Sequence, residues 1–197
     1  MRQGDIIKTE EKKTIKNFIW DSQNKSVSWI YNGKVIKKKF ENAYYASVDL
    51  QKKYVYIELG QNYYREQVYY FSFDGERIFM ADKMSGIVNW LYEDQVIEID
   101  SRNILNAQIY REQGVVILIT VPNQTDINIK GFALDGRLLF KKEAPEGYSF
   151  MYLSTFKNQP AIVFDGGETN ADVHGRSSWY FIVDINTGDM TRENIAY

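Results

Sequence analysis

Apolar and polar residues alternate along short stretches of the chain. Val27, Trp29 and Tyr31 form one such set, Val55, Ile57 and Leu59 another, and Phe71 and Phe73 a third. A period of two puts successive side chains on opposite sides of an extended backbone, so each stretch predicts a strand with one buried face. Between the strands lie Asn32-Gly33, Asp74-Gly75 and Asp135-Gly136. These residues tolerate the positive φ of a two-residue hairpin turn, and the chain reads as consecutive antiparallel hairpins. No long 3.6-residue apolar stripe appears, which confines helix to short pieces such as the charged segment from Glu10 to Lys16.

The hairpins repeat. Residues 27–86 align without a gap on 88–147, an offset of 61, with 14 identities in 60 positions. The identities include Trp29/Trp90, Tyr31/Tyr92, Ala46/Ala107, Val55/Val116, Phe71/Phe132 and Gly75/Gly136, and apolar exchanges such as Ile57/Leu118 accompany them. Similarity at a fixed period over whole hairpins indicates an internal duplication. Segments 151–156, 161–164, 179–185 and 189–195 keep the same four-strand order as a partial third copy over 148–197, closed by an Asn186-Thr187-Gly188 turn. Residues 14–39 supply about three strands of a fragmentary fourth. No Pro/Gly/Ser-rich linker interrupts the map, so residues 1–197 read as one all-β repeat domain.

Four antiparallel strands with a DG or NTG turn joining the last two resemble the blade of a β-propeller. The segments that carry the resemblance run from Tyr44 to Asp82 and from Asn106 to Lys142, together with WYFIVDINTGDMT at 179–191. It implies four or five blades. The Trp-bearing hairpins at 27–39 and 88–99 exceed a four-strand blade, and an open roll or sandwich of hairpins is the alternative architecture.

Charge and composition narrow the function classes. With 24 Lys+Arg against 26 Asp+Glu the net charge is −2, which provides no overall basic field for nucleic acid. The absence of Cys excludes disulfides, a Cys nucleophile and thiolate metal sites. No apolar run of membrane-spanning or signal-peptide length occurs, so a soluble cytoplasmic protein is expected, although a secreted chain trimmed of its leader has the same character. The Lys37-Lys38-Lys39 run reads as a strand edge guarded by charge. Tyr44, Tyr45, Tyr54, Tyr56, Tyr69 and Tyr70 suit strand packing, while tyrosine also invites carbohydrate or protein binding.

Phosphate-loop, dinucleotide, HExxH and GxSxG signatures are absent, and His174 is the only histidine. No catalytic residue, metal-ligand set or cofactor is therefore assigned. His174 lies in the long segment 165–178, about four residues longer than its counterparts when Phe132 is aligned with Phe181 and Ile117 with Ile162. This segment gathers Asp165, Glu168, Asp172, His174 and Arg176. Equivalent loops of a repeat emerge at the same end, so Gly60–Gln67 and Val121–Asn128 bring Tyr63, Tyr64, Arg65, Asn123, Gln124 and Asp126 toward a common rim. The set suggests a binding module for a protein or a small polar ligand. A hydrolase or lyase using the acids and His174, and a subunit whose open edges are completed by another copy, are the alternatives.

Overall fold

The computed structural model describes residues 14–123 and 126–196. Within them the chain is all-β, with seventeen antiparallel strands in four sheets and two single 3-10 turns, Arg111–Gln113 and Glu168–Asn170. The first sheet holds β1 (Lys16–Asp21), β2 (Ser26–Tyr31) and β3 (Lys34–Lys39). The second has six strands: β4 (Ala43–Asp49), β5 (Tyr54–Leu59), β6 (Gln67–Ser72), β7 (Arg77–Asp82), β8 (Ile87–Tyr92) and β9 (Gln95–Asp100). The third comprises β10 (Ile104–Tyr110), β11 (Val115–Thr120), β12 (Asn128–Ala133) and β13 (Leu138–Glu143). The fourth comprises β14 (Ser149–Phe156), β15 (Gln159–Asp165), β16 (Ser178–Val183) and β17 (Met190–Ile195). No helix of the described residues is long and apolar enough to cross a membrane.

The duplication reappears strand by strand. Adding 61 to the bounds of β2 through β7 returns the bounds of β8 through β13, and adding it to β1 returns β7. The Trp-bearing hairpin 87–100 belongs to the second sheet, where β8 pairs with β7 and extends it to six strands. Of the segment expected as a short helix, residues 10–13 lie outside the described ones and Lys16 opens β1.

Turn chemistry departs from expectation in one respect. Asn32 and Gly33 both have positive φ (50° and 75°), as a two-residue hairpin turn demands. The Asp-Gly turns are longer. Gly75 N–H bonds to the Ser72 carbonyl and Ser72 N–H to the Glu76 carbonyl, leaving a three-residue loop in which only Gly75 (φ 91°) is left-handed. A bulge at Ile78, between the pairs Tyr70/Phe79 and Phe71/Arg77, absorbs the extra residue, and the Gly136 turn repeats the arrangement.

Three apolar cores join the four sheets in series. Val27 and Trp29 of the first sheet pack on Val55, Ile57 and Phe71 of the second. Phe79 and Trp90 of the second pack on Val116, Leu118 and Phe132 of the third. Ile117 and Phe140 of the third pack on Ile162, Phe164 and Phe181 of the fourth. The two tryptophans also staple neighbouring sheets: Trp29 Nε1 donates to the Phe73 carbonyl at 2.6 Å and Trp90 Nε1 to the Leu134 carbonyl at 2.7 Å, again 61 residues apart.

The third copy follows a different register. Ile117 and Ile162, aligned by sequence, belong to facing sheets of one core, so they point in opposite senses along the series. The true counterparts of Ile162 and Phe164 are Val116 and Leu118, which face the preceding sheet as Val55 and Ile57 do. A one-residue slip exchanges the two faces of a strand, and identity alone does not detect it.

Candidate functional site

The first strands of the last three sheets, β4, β10 and β14, and the turns that follow them border a cleft. Two adjoining cavities of about 630 Å³ and about 550 Å³ fill it and share Asp49, Gln51, Tyr54, Gln108 and Leu153 as walls. Toward one end the larger cavity is lined by Lys52, Arg111, Glu112, Gln113, Thr155 and Asn158. The smaller reaches Tyr56, Arg65, Tyr70, Asn106 and Tyr152. Bonds between sheets brace the larger one: Lys52 Nζ donates to Thr155 Oγ1 at 3.2 Å, Gln113 Nε2 to the Asn158 carbonyl at 2.8 Å, and Tyr110 Oη to the Ser154 carbonyl at 2.8 Å.

Strand alternation explains the aromatic wall. On β5 the buried residues Val55, Ile57 and Leu59 face the first sheet, so Tyr54, Tyr56 and Glu58 share the opposite face. Tyr54 stacks on Tyr70 with centroids 4.5 Å apart, and burial pushes its hydroxyl up to about 12. Glu58 accepts from Tyr44 Oη at 2.8 Å and, through its other oxygen, from Tyr56 Oη in a short bond. Arg65 Nη1 donates to the same Glu58 oxygen at 3.3 Å and to Tyr56 Oη at 3.2 Å. Arg65 is delivered by a tight turn that needs Gly60, where a Cβ would stand 1.7 Å from the Tyr64 carbonyl oxygen.

Lys83 lies beside Arg65 in a narrow cleft between the second and third sheets, its ammonium 5.1 Å from the Tyr64 ring centre. Burial pushes the Lys83 ammonium down to about 8; Arg65 acts in the same direction and Glu58 opposes both. In protein reductively methylated with ¹³C-formaldehyde, we expect one lysine resonance to titrate near pH 8, to vanish in Lys83→Met and to move upward in Arg65→Gln. If no lysine resonance moves below about pH 9.5, the ammonium is solvated and this picture of the cleft fails.

The eight residues singled out from the sequence do not converge on one place. Arg65 joins the cleft. Tyr64 is exposed above Lys83, and Asn123 Nδ2 donates to Asp126 Oδ2 at 3.0 Å in its own loop. Gln124 lies outside the described residues. In the 165–178 segment Asp165 and Asp172 serve the loop itself. Asp165 accepts from the Gly167 amide at 3.0 Å, and its hydrogen bonds, that from the Ser177 side chain foremost, lower its pKa. Asp172 accepts from the His174 and Arg176 amides and from Arg176 Nε, and an ion pair of 2.6 Å to Arg176 Nη2 completes the clasp. Its carboxyl is held down to about 2, chiefly by the Arg176 side chain. Glu168 starts a 3-10 turn, and His174 is exposed at the tip. Among the described residues no group of three His, Asp or Glu is placed to hold a metal ion.

Sequence reasoning passed over Glu58, Lys83, Asn106 and Gln108. The Tyr-x-Tyr-x-Glu alternation at 54–58 was the available signal, since a carboxylate in phase with two aromatics must share their half-buried face.

No protein-family model matches this chain, and no curated protein matches it. Among solved structures it is similar to a Bacteroides fragilis protein that carries the name of a 6-phosphogluconolactonase, with 10% identity and a TM-score of 0.44. The match covers 85% of this chain and 63% of that one, so this chain spans less than two thirds of its neighbour. At that level neither activity nor substrate carries over.

Proposed function

We propose that the protein is a binding module that holds a small, polar, largely uncharged ligand of the sugar or polyol class in the cleft bordered by β4, β10 and β14. Asn106 carries the reading: it is only 7% exposed and lines the smaller cavity, a nearly buried amide at the wall of an open cleft. A side-chain amide offers a ligand both donors and an acceptor, the pairing that hydroxyl groups need. Gln51 and Gln108 add two more amides at the wall common to both cavities, and Tyr54 and Tyr56 supply flat apolar faces with polar tips.

Binding is favoured over hydrolysis because the two carboxylates set among the cleft's tyrosines are already engaged, while Glu112 stands exposed in the turn after β10. Asp49 Oδ1 accepts from the Gln51 and Lys52 amides at 3.0 and 2.8 Å, and Glu58 is held by two tyrosines and Arg65. A general acid or base needs a carboxyl free to exchange its proton with substrate.

The test is titration of ¹⁵N-labelled protein with neutral di- and trisaccharides and polyols. Amide shifts should concentrate at 47–54, 106–113 and 152–158, and Asn106→Leu or Gln108→Leu should weaken binding about tenfold, the worth of one good hydrogen bond. Shifts confined to 165–178, or none with any member of the panel, would overturn the proposal. Conversion of a sugar to product would replace it with the enzyme reading.

A further inference from the structure

The two copies of the duplicated hairpin differ most where each meets solvent. β3 and β9 are equivalent outer strands: each pairs with a single neighbour, β2 or β8, and ends its sheet. Their exposure patterns agree residue for residue, with Val35 73% exposed and its counterpart Val96 60% exposed. Their charges are opposite. Lys34, Lys37, Lys38 and Lys39 make β3 a basic edge, while Glu98 and Asp100 make β9 an acidic one. Lys37, Lys39, Glu98 and Asp100 form no ion pair within the described residues.

Charges of one sign on an exposed strand prevent that strand from pairing with its own copy. Inverting the sign on the equivalent strand forbids β9 with β9 as well, yet leaves β3 with β9 attractive. The exposed Val35 and Val96 sit beside these charges on the solvent faces of the two edges. We propose that copies of this chain associate edge to edge, β3 of one copy adding to β9 of the next.

Orientation follows from the repeat. Two edges of the same hand can merge with their solvent faces on one side only when the strands run antiparallel. Among the registers that keep the solvent faces together, the one that matches charge sets Lys37 opposite Glu98 and Ile36 opposite Ile99, with Lys39 diagonal to Glu98 and Asp100 diagonal to Lys37. Opposite charges directly across a strand pair, and diagonal to it, favour the pairing. The contact joins different surfaces of the two copies, so it propagates head to tail and yields a series of oligomers.

Sedimentation velocity over a concentration series up to about 200 µM, a range that detects weak association, tests the proposal. The mean mass should rise with concentration, and raising NaCl from about 50 to 500 mM, which shortens the screening length roughly threefold, should weaken association at least tenfold. Lys37→Glu/Lys39→Glu puts acids at the solvent-face positions of both edges, and Glu98→Lys/Asp100→Lys puts lysines at them. Each variant alone should sediment as a monomer with the parent's melting temperature, and an equimolar mixture of the two should associate again. A parent that stays monomeric throughout, an association indifferent to salt, or variants that associate as the parent does would overturn it. The salt series on the parent protein tests the charge pairing without relying on either variant's folding.

Discussion

Replacing Trp90 with alanine should lower the unfolding free energy by about 3–5 kcal/mol, the cost of removing a large, fully buried aromatic and leaving its cavity. Trp90 is 1% exposed in the core between the second and third sheets, and its indole N–H is the bond that ties the end of β12 to β8. Trp29 holds the equivalent place between the first and second sheets, so Trp29→Ala should cost a similar amount. A phenylalanine at either site keeps most of the packing and loses the N–H, leaving one buried carbonyl short of a donor, for about 1–2 kcal/mol. Since the two residues lie in separate cores their losses should add, and the double alanine variant approaches the whole stability of a typical domain. Urea unfolding followed by tyrosine fluorescence gives the comparison. Losses below about 1 kcal/mol for either alanine variant would show that the tryptophans merely fill space beside the sheets.

The second large effect belongs to the cleft. Glu58→Ala removes the acceptor of two tyrosine hydroxyls and the counter-charge of Arg65 in one step. Complete burial of such a network costs several kcal/mol when one partner is lost, but the side chains of Arg65 and Glu58 are 31% and 17% exposed, and solvent screens the pair. A loss of about 2 kcal/mol is expected, with Glu58→Gln at about half of it because the amide oxygen still accepts from tyrosine. The titration of Lys83 provides a second readout. Glu58 raises the Lys83 pKa, so its removal should take the midpoint below 8, while saccharide binding weakens as Arg65 and Tyr56 lose their anchor. An unchanged Lys83 midpoint together with unchanged stability would separate Glu58 from the cleft altogether.

Much of the architecture is local and can be read from the chain. Strand alternation, turn residues and the 61-residue offset act over a few residues or through a comparison of the chain with itself, and the bounds of β2–β7 and β8–β13 obey them. Trp29 and Trp90 hold matching places in the repeat, and both are buried and bonded to equivalent carbonyls, Phe73 and Leu134. The basic run at 37–39 marked an edge, which β3 is.

Where the chain gave no local signal, tertiary structure decided. Whether the 87–100 hairpin stands alone depends on β7 pairing with β8, and the Asn-Gly and Asp-Gly turns diverge because a bulge lengthens one and not the other. The facing of β15 turned on a one-residue register that composition does not encode. The cleft is the clearest case. Asp49, Gln108 and Leu153 are separated by scores of residues and meet only because three sheets bring their first strands together. The loop acids were conspicuous in sequence because they are clustered along it, and the fold spends Asp165 and Asp172 on closing their own turn. Local physics specifies strands, turns and repeats, whereas a binding site formed from distant side chains depends on how the sheets pack.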